Sequence, residues 1–114
     1  MDYKKVTPET FAIYLKIANQ RDKLYRHKTC YIAYDCNSGF AITNSGLLCH
    51  VFSLKPGAGR LAVKKAIKLG AIRLSCYNKQ QEMYYGTFGF YTTFRSNNKY
   101  WMCRKNIGGA ACIE

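Results

Sequence analysis

The stretch Lys55-Pro56-Gly57-Ala58-Gly59-Arg60 is the first place in this chain where residue types and spacing suggest chemistry. An apolar run ends, a glycine-rich turn follows, and a helical pattern begins at once. Glycines let a backbone approach an anion closely, and the unpaired N–H groups of a helix start point at it with the helix dipole behind them. Gly57, Ala58 and Gly59 could therefore cradle a pyrophosphate, with charge supplied by Arg60 and Lys55. The segment is not a Walker loop, because the closing Gly-Lys-Ser/Thr is absent, and it lacks the full GxGxxG of a dinucleotide site. Taken alone, a short glycine turn serves equally well as a plain strand-to-helix connector.

His50 lies in the apolar run just before that turn, and His27 is the other histidine. An imidazole is suited by its pKa to take a proton from an ammonium group near neutral pH. The plainer reading of His50 is a hydrogen-bonded strand residue. Cys30, Cys36, Cys49, Cys76, Cys103 and Cys112 form no CxxC pair, and with two histidines a zinc site would need several distant thiolates to converge. Most of these cysteines sit in strand-like runs, where a free Cys packs as a small hydrophobe, and no base partner is apparent for Cys49 or Cys76.

The elements that must position these groups can be read from periodicity. Thr7-Pro8-Glu9 reads as a helix start: Thr as N-cap, Pro at the first helical position, an acid in the first turn. Phe11, Tyr14, Leu15 and Ala18 then recur at the three-and-four spacing of an amphipathic face. Residues 20–28 form a basic stretch, expected as a second short helix or a loop. From Cys30 the period changes, and strands are predicted over 30–35, 39–43 and 47–54. The links Asn37-Ser38 and Asn44-Ser45-Gly46 are turn chemistry, so the three strands should form an antiparallel meander. The third is almost continuously apolar and is expected to be central and covered on both faces. A helix is predicted over 61–69, closed by Gly70, with Lys64, Lys65 and Lys68 toward one side and Ala62, Ala66 and Leu69 toward the other. A strand over 72–77, entered through that helical crossover, should run parallel to the strand before it. A short helix over 79–85 and a hairpin of 90–95 with 99–104 follow, and residues 107–111 read as loop.

At 114 residues the chain suits one domain, and its 48% apolar content is ordinary for a globular core. Eighteen Lys and Arg against six Asp and Glu give a formal charge of +12. Such a field concentrates polyanions, whether nucleic acid, an acidic protein, an anionic membrane or a phosphate-bearing cofactor, and it also keeps a small protein soluble. The cations are scattered and form no long basic tail. No apolar signal-peptide core follows Met1, and no segment approaches a membrane span. The expectation is an intracellular, cytoplasmic protein without a membrane partner, its thiols reduced.

The run Met83-Tyr84-Tyr85-Gly86-Thr87-Phe88-Gly89-Phe90 completes a pattern. A glycine turn opening a helix, then an apolar strand, then an aromatic-Tyr-xxx-Gly-Phe run leading into a hairpin resembles the second half of a domain of the GNAT superfamily of acetyl-CoA-dependent acetyltransferases. The segment Ala66-Ile67-Lys68-Leu69-Gly70-Ala71-Ile72-Arg73-Leu74 has the helix-Gly-Ala-strand texture common in that family. The resemblance covers roughly residues 31–104.

The resemblance implies an α/β (α+β) domain spanning 1–114. Its sheet would be mixed and mainly antiparallel, with a parallel central strand pair splayed at a cofactor cleft and helices on the flanks. Residues 1–29 would form the helical acceptor side, and 30–114 the sheet and cofactor core. It puts the pyrophosphate of acetyl-CoA on Gly57, Ala58 and Gly59. The pantetheine arm and acetyl group would lie between the strand carrying His50, Phe52, Ser53 and Leu54 and the strand segment 75–77. Tyr85 falls where the family often protonates the leaving thiolate, with Tyr84 in the preceding aromatic place. No metal or redox cofactor is implied. The family usually has Gln or Arg three residues before the first glycine. Leu54 stands there, leaving Lys55 or Arg60 to substitute. No acid lies near the strand before the turn, so His50 is the candidate base. The expected function is transfer of an acetyl group to an unidentified amine. The alternative is a catalytically inactive, basic GNAT-like binder of nucleic acid or an acidic protein, of a compactness that would suit a phage genome.

Overall fold

A computed structural model describes residues 2–22 and 27–105. The elements run in the order β1 (Tyr3–Val6), α1 (Pro8–Ile17), β2 (Lys28–Ala33), β3 (Ser38–Thr43), β4 (Leu48–Ser53), α2 (Ala58–Lys68), β5 (Arg73–Cys76), α3 (Lys79–Gly86), β6 (Tyr91–Ser96) and β7 (Lys99–Cys103). The fold is α+β, built on a four-stranded antiparallel sheet ordered β1-β2-β3-β4 and a three-stranded antiparallel sheet ordered β5-β7-β6.

The helix starts follow their local chemistry. Thr7 caps α1, its hydroxyl accepting from the Thr10 N–H at 3.1 Å, with Pro8 at the first helical position. Asn78 caps α3 in the same way through the Gln81 N–H at 2.8 Å. Gly57 stands at the cap of α2 with φ +82 and offers no side-chain cap at all. Phe11 and Leu15 bury the expected face of α1 against β2, β3 and β4, around Ile32, Cys49 and Phe52. Ala62, Val63 and Ala66 bury α2 in a second cluster. That cluster takes Phe40, Ile42 and Leu48 from the first sheet and Leu74, Cys76 and Met102 from the second, so α2 binds the two sheets together.

Several expectations need correction. The parallel central strand pair does not form, because both sheets are antiparallel throughout. Among the described residues, strand pairing between the sheets is an isolated parallel bridge, Leu47↔Arg73, flanked by the Gly46 carbonyl accepting from the N–H groups of Ile72 and Arg73 at 2.9 and 3.1 Å. The reason lies in β4. Its register steps from Ile42↔Leu48 to Ala41↔His50, which leaves Cys49 as an extra residue. A bulge of this kind bends and twists its strand, so β4 leaves β5 directly after the bridge. The apolar run 47–54 is therefore the edge strand of its sheet, not a central one. Gly46 itself sits at φ +87, and an added Cβ would lie 2.8 Å from Ile72 Cγ1 and 2.9 Å from the Gly70 carbonyl oxygen. Only glycine fits where the sheets meet.

Smaller differences follow the same logic. β1 was not read from the sequence, being a short strand with two exposed lysines, Lys4 and Lys5, at its centre. α2 begins at Ala58 rather than at residue 61, and Leu69, expected on the side of Ala62 and Ala66, is exposed. The β2–β3 link is longer than Asn37-Ser38, with Cys36 at φ 62 and the Asp35 carboxylate accepting from the Asn37 N–H at 3.0 Å. Cys103 is disulfide-bonded, against the expectation of reduced thiols, whereas Cys30, Cys36, Cys49 and Cys76 are free. The expected helix or loop over 20–28 lies partly outside the described residues, and the expected loop 107–111 and Cys112 lie wholly outside them. Among the described residues no helix is long and apolar enough to cross a membrane.

Candidate functional site

Because β4 and β5 part beyond their bridge, a cleft opens between them. It measures about 420 Å³ and is lined by Cys49, His50 and Val51 from one side and Ser75, Cys76 and Tyr85 from the other. The backbone of β4 presents polar groups to it. Phe52 pairs with Gly39, and the Leu54 N–H donates to the Asn37 carbonyl at 2.7 Å, so these residues use their peptides on β3. Alternate strand residues point the other way, which turns the N–H and C=O of Val51 toward the cleft. The Val51 carbonyl accepts there from the Gln20 side-chain amide at 2.9 Å.

That bond also fixes where the chain goes after α1. It draws residues 20–22 across β4 and brings the Asp22 carboxylate to 3.6 Å from His50 Nε2. Lys28 Nζ donates to the same carboxylate oxygen at 2.8 Å. The His50 side chain is 2% exposed and Asp22 34%, so the acid is the accessible end of the pair. The bulge explains the direction of His50. It is paired to Ala41, a member of the α1-side cluster, and its ring lies 5.8 Å from Phe11.

Tyr85 enters the cleft from α3. Burial, with smaller contributions from Tyr84 and Cys76, pushes its phenol up to about 12. Among the described residues its hydroxyl has no hydrogen-bond partner, so the proton is held firmly and not engaged. Burial likewise pushes up the Cys76 thiol, whose Sγ approaches Met102 Sδ at 3.8 Å, so Cys76 lines the cleft as a packing residue rather than a nucleophile.

At the far end of β4 stands the glycine turn. Ser53 donates to the Lys55 carbonyl at 2.7 Å, and the Ala58 N–H donates to the same carbonyl at 3.1 Å. The next N–H groups of α2, on Gly59 and Arg60, have no side-chain cap. A Cβ on Gly59 would stand 3.4 Å from Ser53 Cβ and 3.7 Å from the Tyr84 hydroxyl, so β4, α2 and α3 converge here. Burial raises the Tyr84 phenol, opposed by the charge of Arg60. The Arg60 guanidinium lies 4.8 Å from the centre of the Phe88 ring.

The fold therefore brings His50, Val51 and Tyr85 to one cleft, and Ser53, Gly59 and Tyr84 to the turn beside it. It does not bring Phe52 to either: that ring is fully buried, 5.6 Å from Phe11 and 5.9 Å from Tyr14. The Leu54 side chain is exposed. Asp22 was missed from sequence because residues 20–28 read as a basic stretch, and only the tertiary Gln20–Val51 bond reveals it. Val51 carried no signal either, since its contribution is a peptide group. Among the described residues no group of three or more His, Cys, Asp or Glu is placed to hold a metal ion. Compared with known proteins, the chain matches no family model and no curated protein.

Proposed function

We propose that the protein is an acetyl-CoA-dependent N-acetyltransferase acting on an amine by direct attack. The observation that carries this reading is the meeting, along one edge strand, of an uncapped glycine-turn helix start with a cleft lined by His50, whose Nε2 lies 3.6 Å from the Asp22 carboxylate, on one wall and by Tyr85 on the other. The order of elements and the parting of β4 from β5 after a single parallel bridge are compatible with the GNAT resemblance.

Acetyl-CoA, when bound, supplies an acyl group activated as a thioester. In this reading the N–H groups of Gly59 and Arg60, with the charge of Lys55 and Arg60, hold its pyrophosphate. The Val51 N–H, turned away from β3, donates to the carbonyl oxygen on which negative charge gathers. Asp22 receives the ammonium end of the acceptor, and His50 accepts the proton, with the Asp22 carboxylate beside the imidazolium that results. Tyr85 would donate a hydrogen bond to the thioester sulfur, the leaving group that acetyl-CoA would supply. Full proton transfer from a phenol near 12 to a thiolate whose conjugate acid lies near ~8.5 is uphill, so Tyr85 acts as a donor that keeps its proton.

The test is release of free thiol from acetyl-CoA in the presence of a panel of amines. The reading expects acceptor-dependent release, slowed by Asp22→Asn and by Tyr85→Phe but not by Lys64→Glu. Equal rates in all three variants would contradict it.

A further inference from the structure

Pairing sorts the residues of β5, β7 and β6 onto two faces, because cross-strand partners point the same way and successive residues alternate. Leu74, Cys76 and Met102 lie on the face packed against α2. The opposite face carries Ser75, Trp101 and Phe94 in one row across the three strands, by the pairings Ser75↔Trp101 and Phe94↔Trp101. Tyr91 shares this face through its pairing with Cys103. So does Lys99, whose Nζ stands 4.8 Å from the centre of the Trp101 ring and 5.6 Å from that of Tyr77.

The rings on this face are open to water. Phe94 is 55% exposed, Tyr77 48%, Tyr91 42% and Trp101 37%. Large apolar groups gathered on one exposed face mark a surface that meets something. Beside Phe94 and Trp101 runs a groove of about 380 Å³, lined also by Leu47, Arg73 and Thr93. The charge around it has one sign. Arg73 and Lys99 stand on this face, and residues 73–77 and 91–104 contain no Asp or Glu.

We infer that the outer face of the β5-β7-β6 sheet is a platform for single-stranded nucleic acid, with bases stacking on Phe94 and Trp101 and phosphates meeting Lys99 and Arg73. Aromatic rings interleaved with cations suit this occupant, because every base offers a π face and every nucleotide an anionic phosphate. A second copy of the chain is disfavoured, since each copy brings +12 and no acid on this face. An acidic peptide would use the cations but leave the open rings unmatched. Tyr77 also lines the β4–β5 cleft, so a bound strand would run past its mouth. The inference does not rest on acetyl transfer, and it is read by a different signal.

Trp101 is the only tryptophan in the chain, so its fluorescence reports on this face alone. The full-length protein is titrated with a short oligothymidylate and with the corresponding duplex, at low and high salt, while the anisotropy of a label on the oligonucleotide is followed in parallel. The expected result is quenching of Trp101 by the single strand, weakened by salt, and an affinity about tenfold lower in Phe94→Ala. Lys64→Glu/Lys65→Glu, on the far helix α2, should leave the quenching unchanged. Absence of binding overturns the inference. So does anisotropy without quenching that is abolished by the α2 charge reversals, which would describe a nonspecific polycation. Equal quenching by polyglutamate would assign the face to acidic protein instead. A concentration-dependent dimer mass lost in Phe94→Ala would assign it to a second copy.

Discussion

The Tyr85 phenol, pushed up to about 12, stays protonated over the whole range in which amines are acetylated. In the proposed reaction, replacing it by Phe removes a hydrogen bond to developing charge and leaves the ring in place, so turnover should fall by about tenfold to a hundredfold with KM little changed. The same shift has a consequence for stability. The folded state holds this proton more tightly than the unfolded chain, whose phenol titrates at the ordinary 10.0. The stabilisation is thus complete below about pH 10 and is lost as pH climbs through about 12. Tyr85→Phe should gain on the parent protein by roughly 2–3 kcal/mol across that window, measured by denaturant melts at several alkaline pH values. Parallel curves would contradict the buried setting of the phenol. His50 and Tyr85 were both legible in the sequence, His50 as the only histidine near the glycine turn and Tyr85 through an aromatic motif. Asp22 was not, because its place beside His50 is a tertiary contact between residues distant in sequence.

At the scale of elements, the glycine turn and the bulged edge strand do the positioning. Gly57 and Gly46 both have positive φ, yet their surroundings differ. A Cβ at Gly57 meets nothing within 4 Å, so Gly57→Ala should cost only the backbone strain, about 1–2 kcal/mol, and should weaken the pyrophosphate contact proposed for this turn. At Gly46 the same change also drives a Cβ against the Gly70 carbonyl and Ile72, where the two sheets join. Gly46→Ala should lower the melting temperature by on the order of 10 °C more than Gly57→Ala, as calorimetry would read. Periodicity and capping residues made α1, α2, α3 and the β6–β7 hairpin legible. The relation between β4 and β5 was not. A helical crossover ordinarily returns the chain to a parallel neighbour, and nothing in the apolar run 47–54 announces that Cys49 is an extra residue that turns β4 aside.

At the scale of the molecule, α2 is wedged between two sheets that share one bridge, and the chain carries a formal charge of +12. A field of that size attracts every polyphosphate, so selectivity rather than affinity separates a cofactor site from a basic surface. The proposed acetyl-CoA site runs from the glycine turn into the β4–β5 cleft. Calorimetric titration of the protein with acetyl-CoA, beside desulfo-CoA and ATP at two salt concentrations, tests it most directly. The expected result is stoichiometric binding that favours the whole cofactor over ATP, survives added salt, and weakens when Gly59 is replaced by Val. Absence of binding, or equal and salt-sensitive binding of all the polyphosphates, would contradict it and leave the positive charge as a general anion surface.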